Sequence, residues 1–333
     1  MVLIFFSFHL VPITRCVTNY IQCPATIYNQ YLRDVPRQFQ VCNQCSLELK
    51  FYNRTGKPFS YRKYSTFNYP LIHYGNEMRY ILFPRFFNDR GYRILFMITT
   101  STDEQRERMI IRNHFHVFQQ KYNIGYLFIS AYDEEFNHIL TEESRIYHDI
   151  LQLSHRNSYH NLTLSVLGGL HYISKFHNLS DYVMKTDSDC VVNIPRVLRL
   201  LNKLARKYPK YIGKCSKFGK FNIISPQQKN FVPLQLIGNN RKQLSFASGG
   251  GYILLTKVIP QLLVAVRHLP FITHLEDVTI GMAASSLRYD CWNRRNWIAR
   301  NGCGNASSCL KYMIMHKNTS NSDIERFWNY LSN

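Results

Sequence analysis

Residues Asp181 to Asn193 read DYVMKTDSDCVVN. Tyr182, Val183 and Met184 make a short apolar run suited to a buried strand, Asp187 and Asp189 follow where such a strand would surface, and Val191 and Val192 resume the apolar character. The acids therefore stand at a strand's exit. In an open α/β sheet, ligands bind in the crevice outside the carboxyl ends of strands, so two acids there are placed to hold a divalent cation and its phosphates. Asp-Ser-Asp is also an ordinary polar turn, and the surrounding chain has to decide between the two.

Upstream, RILFMITT after Tyr92 is a continuous apolar run suited to a strand covered on both faces. The following STDEQRERMIIRNHF opens like a helix: Ser101 or Thr102 can cap it, Asp103 and Glu104 suit its first turn, and Met109, Ile110 and Phe115 give an apolar stripe. Arg108 and Arg112 lie four apart and share a face, where solvent exposure is the ordinary expectation. A second strand is expected over Ile124–Ser130. Beyond it Ile146, Ile150 and Leu153 fall at helical spacing, and NLTLSVLGGLHYISKF is again helical, although Gly168 and Gly169 weaken it. Strands and helices alternate up to the acids, which predicts a mainly parallel central sheet flanked by helices.

Downstream, VLRLLNKLARKY is amphipathic and residues 215–243 form an irregular basic stretch. Gly249, Gly250 and Gly251 then precede an apolar strand. Consecutive glycines remove side chains where something must approach the backbone closely, and without a following Gly-Lys-Ser/Thr this is no P-loop. Glu276 and Asp277 stand just ahead of an apolar helical segment. His316 follows, with a final helix ending near Trp328.

The chain has 333 residues, 45% hydrophobic and 14% aromatic, which suits one large or two modest globular domains. Its 41 basic and 21 acidic residues give a formal charge of +20, pointing to nucleic acid, an anionic membrane or a phosphate-bearing substrate. No Lys/Arg block is as dense as a nucleic-acid arm, and Cys42 with Cys45 is the sole CxxC, so nucleic acid is not expected as a partner. Five N-glycosylation sequons, at Asn53, Asn161, Asn178, Asn305 and Asn318, favour a lumenal or extracellular setting. There Cys291, Cys303 and Cys309 become candidate disulfide partners. The opening MVLIFFSFHLVPI is too short to span a bilayer and reads as a signal or a signal-anchor remnant over residues 1–16. Residues 17–90, rich in Tyr, Asn, Arg and Gln, read as a stem, and residues 91–331 as the catalytic domain.

Several motifs in this order resemble the beta-1,3-galactosyltransferase family, family 31 of the glycosyltransferases. They are Arg108, Arg112 and Phe115; Glu143, Tyr147, Asp149, Ile150 and Gln152, then Ser158, Tyr159, Asn161, Leu162 and Thr163; Lys185 to Asp189; Ser248 to Tyr252; Glu276, Asp277, Val278 and Gly281; and His316 with Trp328. Phe115, Ser165 and Ala247 stand where the family usually has tryptophan, lysine and cysteine. The resemblance implies a GT-A type nucleotide-binding fold. It also implies a UDP-sugar-dependent hexosyltransferase that uses Mn²⁺ to build a β1,3 linkage with inversion on a glycoprotein or glycolipid glycan. By the same resemblance Asp189 and His316 ligate the metal and Asp187 holds the ribose or a coordinating water. Lys185, Ser188, Gly249 and Gly250, with Arg108 and Arg112 on the diphosphate, complete the donor site. Asp277 acts as base, with Glu276 second. The expected location is the Golgi membrane, with the catalytic domain lumenal and a type II anchor. An inactive glycan- or UDP-binding paralogue is the alternative.

Overall fold

The computed structural model describes residues 79–85, 91–175, 179–204, 209–217, most of 245–299, 309–316, 325 and 328–331, together with the strand pair at 41–42 and 71–72. In chain order the strands begin with β1 (Val41–Cys42), β2 (Leu71–Ile72), β3 (Tyr80–Leu82) and β4 (Tyr92–Thr99). Then come α1 (Gln105–Gln119), β5 (Ile124–Tyr132), α2 (Asn137–Tyr147), β6 (Ile150–Arg156) and α3 (Leu162–Ser174). The acids stand at the end of β7 (Ser180–Asp187) and just beyond it, and precede β8 (Cys190–Val192), α4 (Ile194–Leu204), β9 (Tyr211–Gly213), β10 (Cys215–Lys217) and β11 (Ser245–Ala247). The last part holds β12 (Gly251–Leu255), α5 (Ile259–Val266), α6 (Glu276–Ser286), β13 (Trp292–Asn293), β14 (Ile298–Ala299) and β15 (Ile314–His316).

An eight-stranded sheet in the order β13-β9-β12-β7-β4-β5-β6-β3 forms the centre. Its middle, β7-β4-β5-β6, is parallel, as the alternation of strands and helices predicts, while β12 runs antiparallel to both β7 and β9. The run Ile94–Ile98 has no solvent exposure, because helices cover both faces of the strand.

Four local readings change. Ile150 and Leu153 belong to strand β6 rather than a helix, and Ile146 is exposed; α2 stops at Tyr147, with His148 left-handed at φ 55°. A short apolar run cannot be assigned by periodicity alone, and here a buried parallel strand takes it. Glu104, not Ser101 or Thr102, is the N-cap residue of α1. β3, inside the expected stem, pairs with β6, so the sheet begins before residue 91. The helix at the chain's end continues past Trp328 to Leu331.

Asn161 is fully buried and donates through Nδ2 to the Arg156 carbonyl at 2.9 Å, so in the folded protein it is no glycan acceptor. Asn53, Asn178, Asn305 and Asn318 lie outside the described residues, as do Cys42 with its neighbour Cys45 in side-chain detail, Cys303, and the apolar residues 1–13. Cys291 pairs with Cys215, and Cys309 is also disulfide-bonded. Among the described residues no helix is long and apolar enough to cross a membrane.

Candidate active site

Strand register brings the expected residues together. β4 and β7 are parallel neighbours with Thr99 opposite Asp187, so the loop leaving β4 lies beside the acids. β12 pairs antiparallel with β7, Gly251 opposite Thr186, which sets the glycines against the same strand end. β15 pairs with β8, His316 opposite Cys190, and thereby delivers an imidazole from over a hundred residues away. His316 Nε2 stands 3.9 Å from Asp189 Oδ2.

Asp189, Cys190 and His316 offer ligand atoms within 4.8 Å of one another. Asp189 and His316 are partly open, and a carboxylate with an imidazole suits a divalent first-row ion such as Mn²⁺. Burial, and then the neighbouring Asp187 charge, raise the Asp189 pKa, a cost that a cation there would offset. Cys190 is fully buried and its thiol is pushed up by burial and by Asp189, so it serves as a donor to Asp189 Oδ1 at 3.4 Å. The described donor set fits a metal held by Asp189 and His316.

Lys185 ties the site together. Its Nζ donates to Asp187 Oδ1 and to the Gly249 carbonyl, both at 2.7 Å, and lies 2.8 Å from Glu276 Oε1. That last contact is off-axis, a Coulombic pair rather than an aligned hydrogen bond, since Glu276 Oε1 lacks a hydrogen-bond partner. Burial alone would lower the Lys185 pKa, but Asp187 and Glu276 more than offset it and keep the ammonium charged. With two hydrogen bonds and one ion pair, Lys185 holds the strand end, the glycine loop and the start of α6 in register. Thr99 Oγ1 donates to the same Asp187 oxygen.

Asp277 sits at the first turn of α6, partly open. Its Oδ2 accepts from the Gly249 amide at 2.9 Å and its Oδ1 from Val278 at 2.8 Å. Burial, and then the Glu276 carboxylate, push it up to about 8, against Lys185. A carboxylate so raised is a better proton acceptor than an ordinary one. Glu276 is itself buried and raised, chiefly by burial, and is turned toward Lys185. Tyr159, with 37% of its surface exposed, belongs to the same cleft: burial and then Glu276, Asp277 and Asp187 push its phenol up to about 12.

The glycines answer the expectation of close approach, but protein groups use the room. A Cβ on Gly249 would stand 3.1 Å from Glu276 Oε1 and 3.3 Å from Asp277 Oδ2. One on Gly250 would meet Ile298 Cδ1 at 2.7 Å and His316 Cδ2 at 2.9 Å.

Arg108 and Arg112 depart from the expected role on the diphosphate. Arg108 is fully buried; it forks onto Glu143 with two 2.8 Å bonds and donates to Thr100 Oγ1, the Ser101 carbonyl and the Thr102 carbonyl. Arg112 binds Asp149 at 2.8 and 2.9 Å and Glu143 at 2.5 Å, with its guanidinium over the Tyr147 ring. The E-x-x-x-Y-x-D motif thus supplies their partners, and the pair anchors the loop after β4. Ser188 donates to Glu104 Oε2 at 2.6 Å, a contact between loops 84 residues apart that spacing alone could not show.

Comparison with known proteins agrees with this architecture. The family profile described as Galactosyltransferase matches residues 96–294. The chain is 31% identical over 201 residues to mouse beta-1,3-galactosyltransferase 2, covering 58% of this chain and 46% of that protein. It is 31% identical over 206 residues to mouse beta-1,3-galactosyltransferase 1, covering 60% of each. The chain thus spans about half the length of the curated relatives it matches. With the profile extending from the core of β4 through β13 and so over the acids, the glycines and the start of α6, the chain belongs to the galactosyltransferase family.

Proposed function

We propose that this chain is an inverting, metal-dependent glycosyltransferase that moves a hexose or N-acetylhexosamine, galactose first, from a UDP-sugar to a glycan hydroxyl in β1,3 linkage. One observation carries the reading: Asp189 with His316, and Asp277 with Glu276, converge on one cleft through Lys185 although they come from three separate segments.

Asp189 and His316 would hold Mn²⁺, which stabilises the negative charge of departing UDP. Asp187 is oriented by Lys185 and Thr99 through one oxygen, Oδ1. Inversion needs a base on the face opposite UDP. Asp277 takes the acceptor hydroxyl's proton, an effect typically worth roughly 10² to 10⁴ in rate. Its two backbone amide bonds fix the carboxylate's plane, and Glu276 is occupied with Lys185. The Cys215–Cys291 disulfide supports an oxidising compartment, in keeping with a Golgi lumenal domain carried by a membrane anchor.

The test is the purified protein with Mn²⁺, a panel of UDP-sugars and glycan acceptors, read as UDP release and product linkage. One UDP-sugar should turn over, Asp277→Asn should abolish transfer while UDP still binds, and Asp189→Ala should remove the Mn²⁺-dependent part of UDP binding. UDP binding without turnover of any donor would identify the inactive paralogue instead.

A further inference from the structure

We propose that Glu104 is the acceptor for the ribose hydroxyls of the donor nucleotide and that it selects a ribonucleotide. The inference rests on the nucleotide-sugar reading above. From β4 the chain builds β5 and β6 on one side, then returns to place β7 on the other, so the winding reverses between β4 and β7. Such a reversal opens a crevice outside the strand ends, where the connecting loops part, and nucleotides bind there. The loop after β4 and the Asp187–Asp189 turn are the two walls of this crevice, and Glu104 is the carboxylate that joins them.

Its anchoring is one-sided. Glu104 Oε2 accepts from Ser188 Oγ at 2.6 Å, the Ser101 amide at 2.8 Å and Thr100 Oγ1 at 3.0 Å. Oε1 has no hydrogen bond or ion pair among the described residues, and the side chain is partly open. The loop below is rigid: Arg108 holds Thr100, Ser101 and Thr102, while Asn157 Nδ2 holds Ser101 Oγ at 2.8 Å and Thr102 Oγ1 at 3.0 Å. A carboxylate fixed through one oxygen and open through the other accepts a hydrogen bond from a hydroxyl, and a vicinal diol is the part of a nucleotide with hydroxyls to donate. Glu104 also repels the diphosphate, which favours a pose with the phosphates toward Asp189 and His316 and the ribose toward α1.

Calorimetry with Mn²⁺ tests this with UDP, 2′-deoxy-UDP and 3′-deoxy-UDP on the wild type and on Glu104→Gln. The wild type should bind at least one deoxy analogue about tenfold or more weakly than UDP, the scale of a hydrogen bond to a charged group. Glu104→Gln should weaken UDP and shrink that ratio below about threefold. A purely structural Glu104 would weaken all three ligands alike and leave the ratio intact, which overturns the proposal. Equal binding of all three by the wild type overturns it without any variant. Absence of UDP binding altogether instead removes the nucleotide-sugar reading on which it stands.

Discussion

At the scale of the residue, Asp277 shows how one environment serves chemistry against stability. Its carboxyl ordinarily titrates near 3.8 and is pushed up to about 8 in the fold, so folding favours its protonated form. The sign follows from linkage. The contribution to stability is fully present below about pH 4 and is lost as pH rises to about 8, at up to roughly 1.4 kcal/mol per pH unit. Urea unfolding at a series of pH values should therefore show Asp277→Asn gaining on the wild type between pH 5 and 8, with the difference flat above about 9. Over the same range wild-type kcat/KM should climb toward a plateau as the base ionises. A pH-independent stability difference would contradict the raised titration. Asp277 could be named from its neighbours in sequence, whereas its shift arises from burial in the fold and then from the Glu276 carboxylate, opposed by Lys185 from another strand.

At the scale of the element, α6 carries the base and is held by a glycine. A Cβ at Gly281 would strike the Phe246 side chain and stand 2.9 Å from the Phe246 Cα and 3.0 Å from the Ser245 carbonyl, so α6 lies directly on β11. Backbone cannot swing aside as a side-chain tip can. Gly281→Ala should destabilise the protein by about 1–3 kcal/mol through overpacking, despite the roughly 1 kcal/mol that alanine adds to helix propensity. Chemical denaturation measures the balance, and a stabilised variant would show that α6 has room to move. Gly169 does the same for α3, where a Cβ would meet Met97 Sδ at 2.7 Å and Ile129 Cδ1 at 2.9 Å. Sequence patterning marks Gly168 and Gly169 as weak points of a helix, but close packing on β4 and β5 makes that helix.

For the whole molecule, the Cys215–Cys291 bridge closes a loop of 76 residues that contains β11, β12, α5 and α6, and so encircles the glycine loop and the base. Closing a loop of that size restricts the unfolded chain by about 4 kcal/mol on the chain-entropy view, with typical measured gains of about 2–4. The Cys215→Ser, Cys291→Ser double variant should therefore melt several degrees lower, and an unchanged melting temperature would show that the bridge constrains little. The sequence alone determined the alternation of strands and helices, the position of the acids at the exit of β7, the glycines ahead of β12 and the acidic start of α6, because each depends on neighbours within a few residues. It also held the motif order that marks the family. Only the tertiary structure decided that Arg108 and Arg112 are clamps on Glu143 and Asp149, that Asn161 is buried, that β6 is a strand, and that Lys185, Glu104 and His316 meet the acids. Those outcomes depend on strand register and on which charges are shut away from water together, and neither is written in any local stretch of chain.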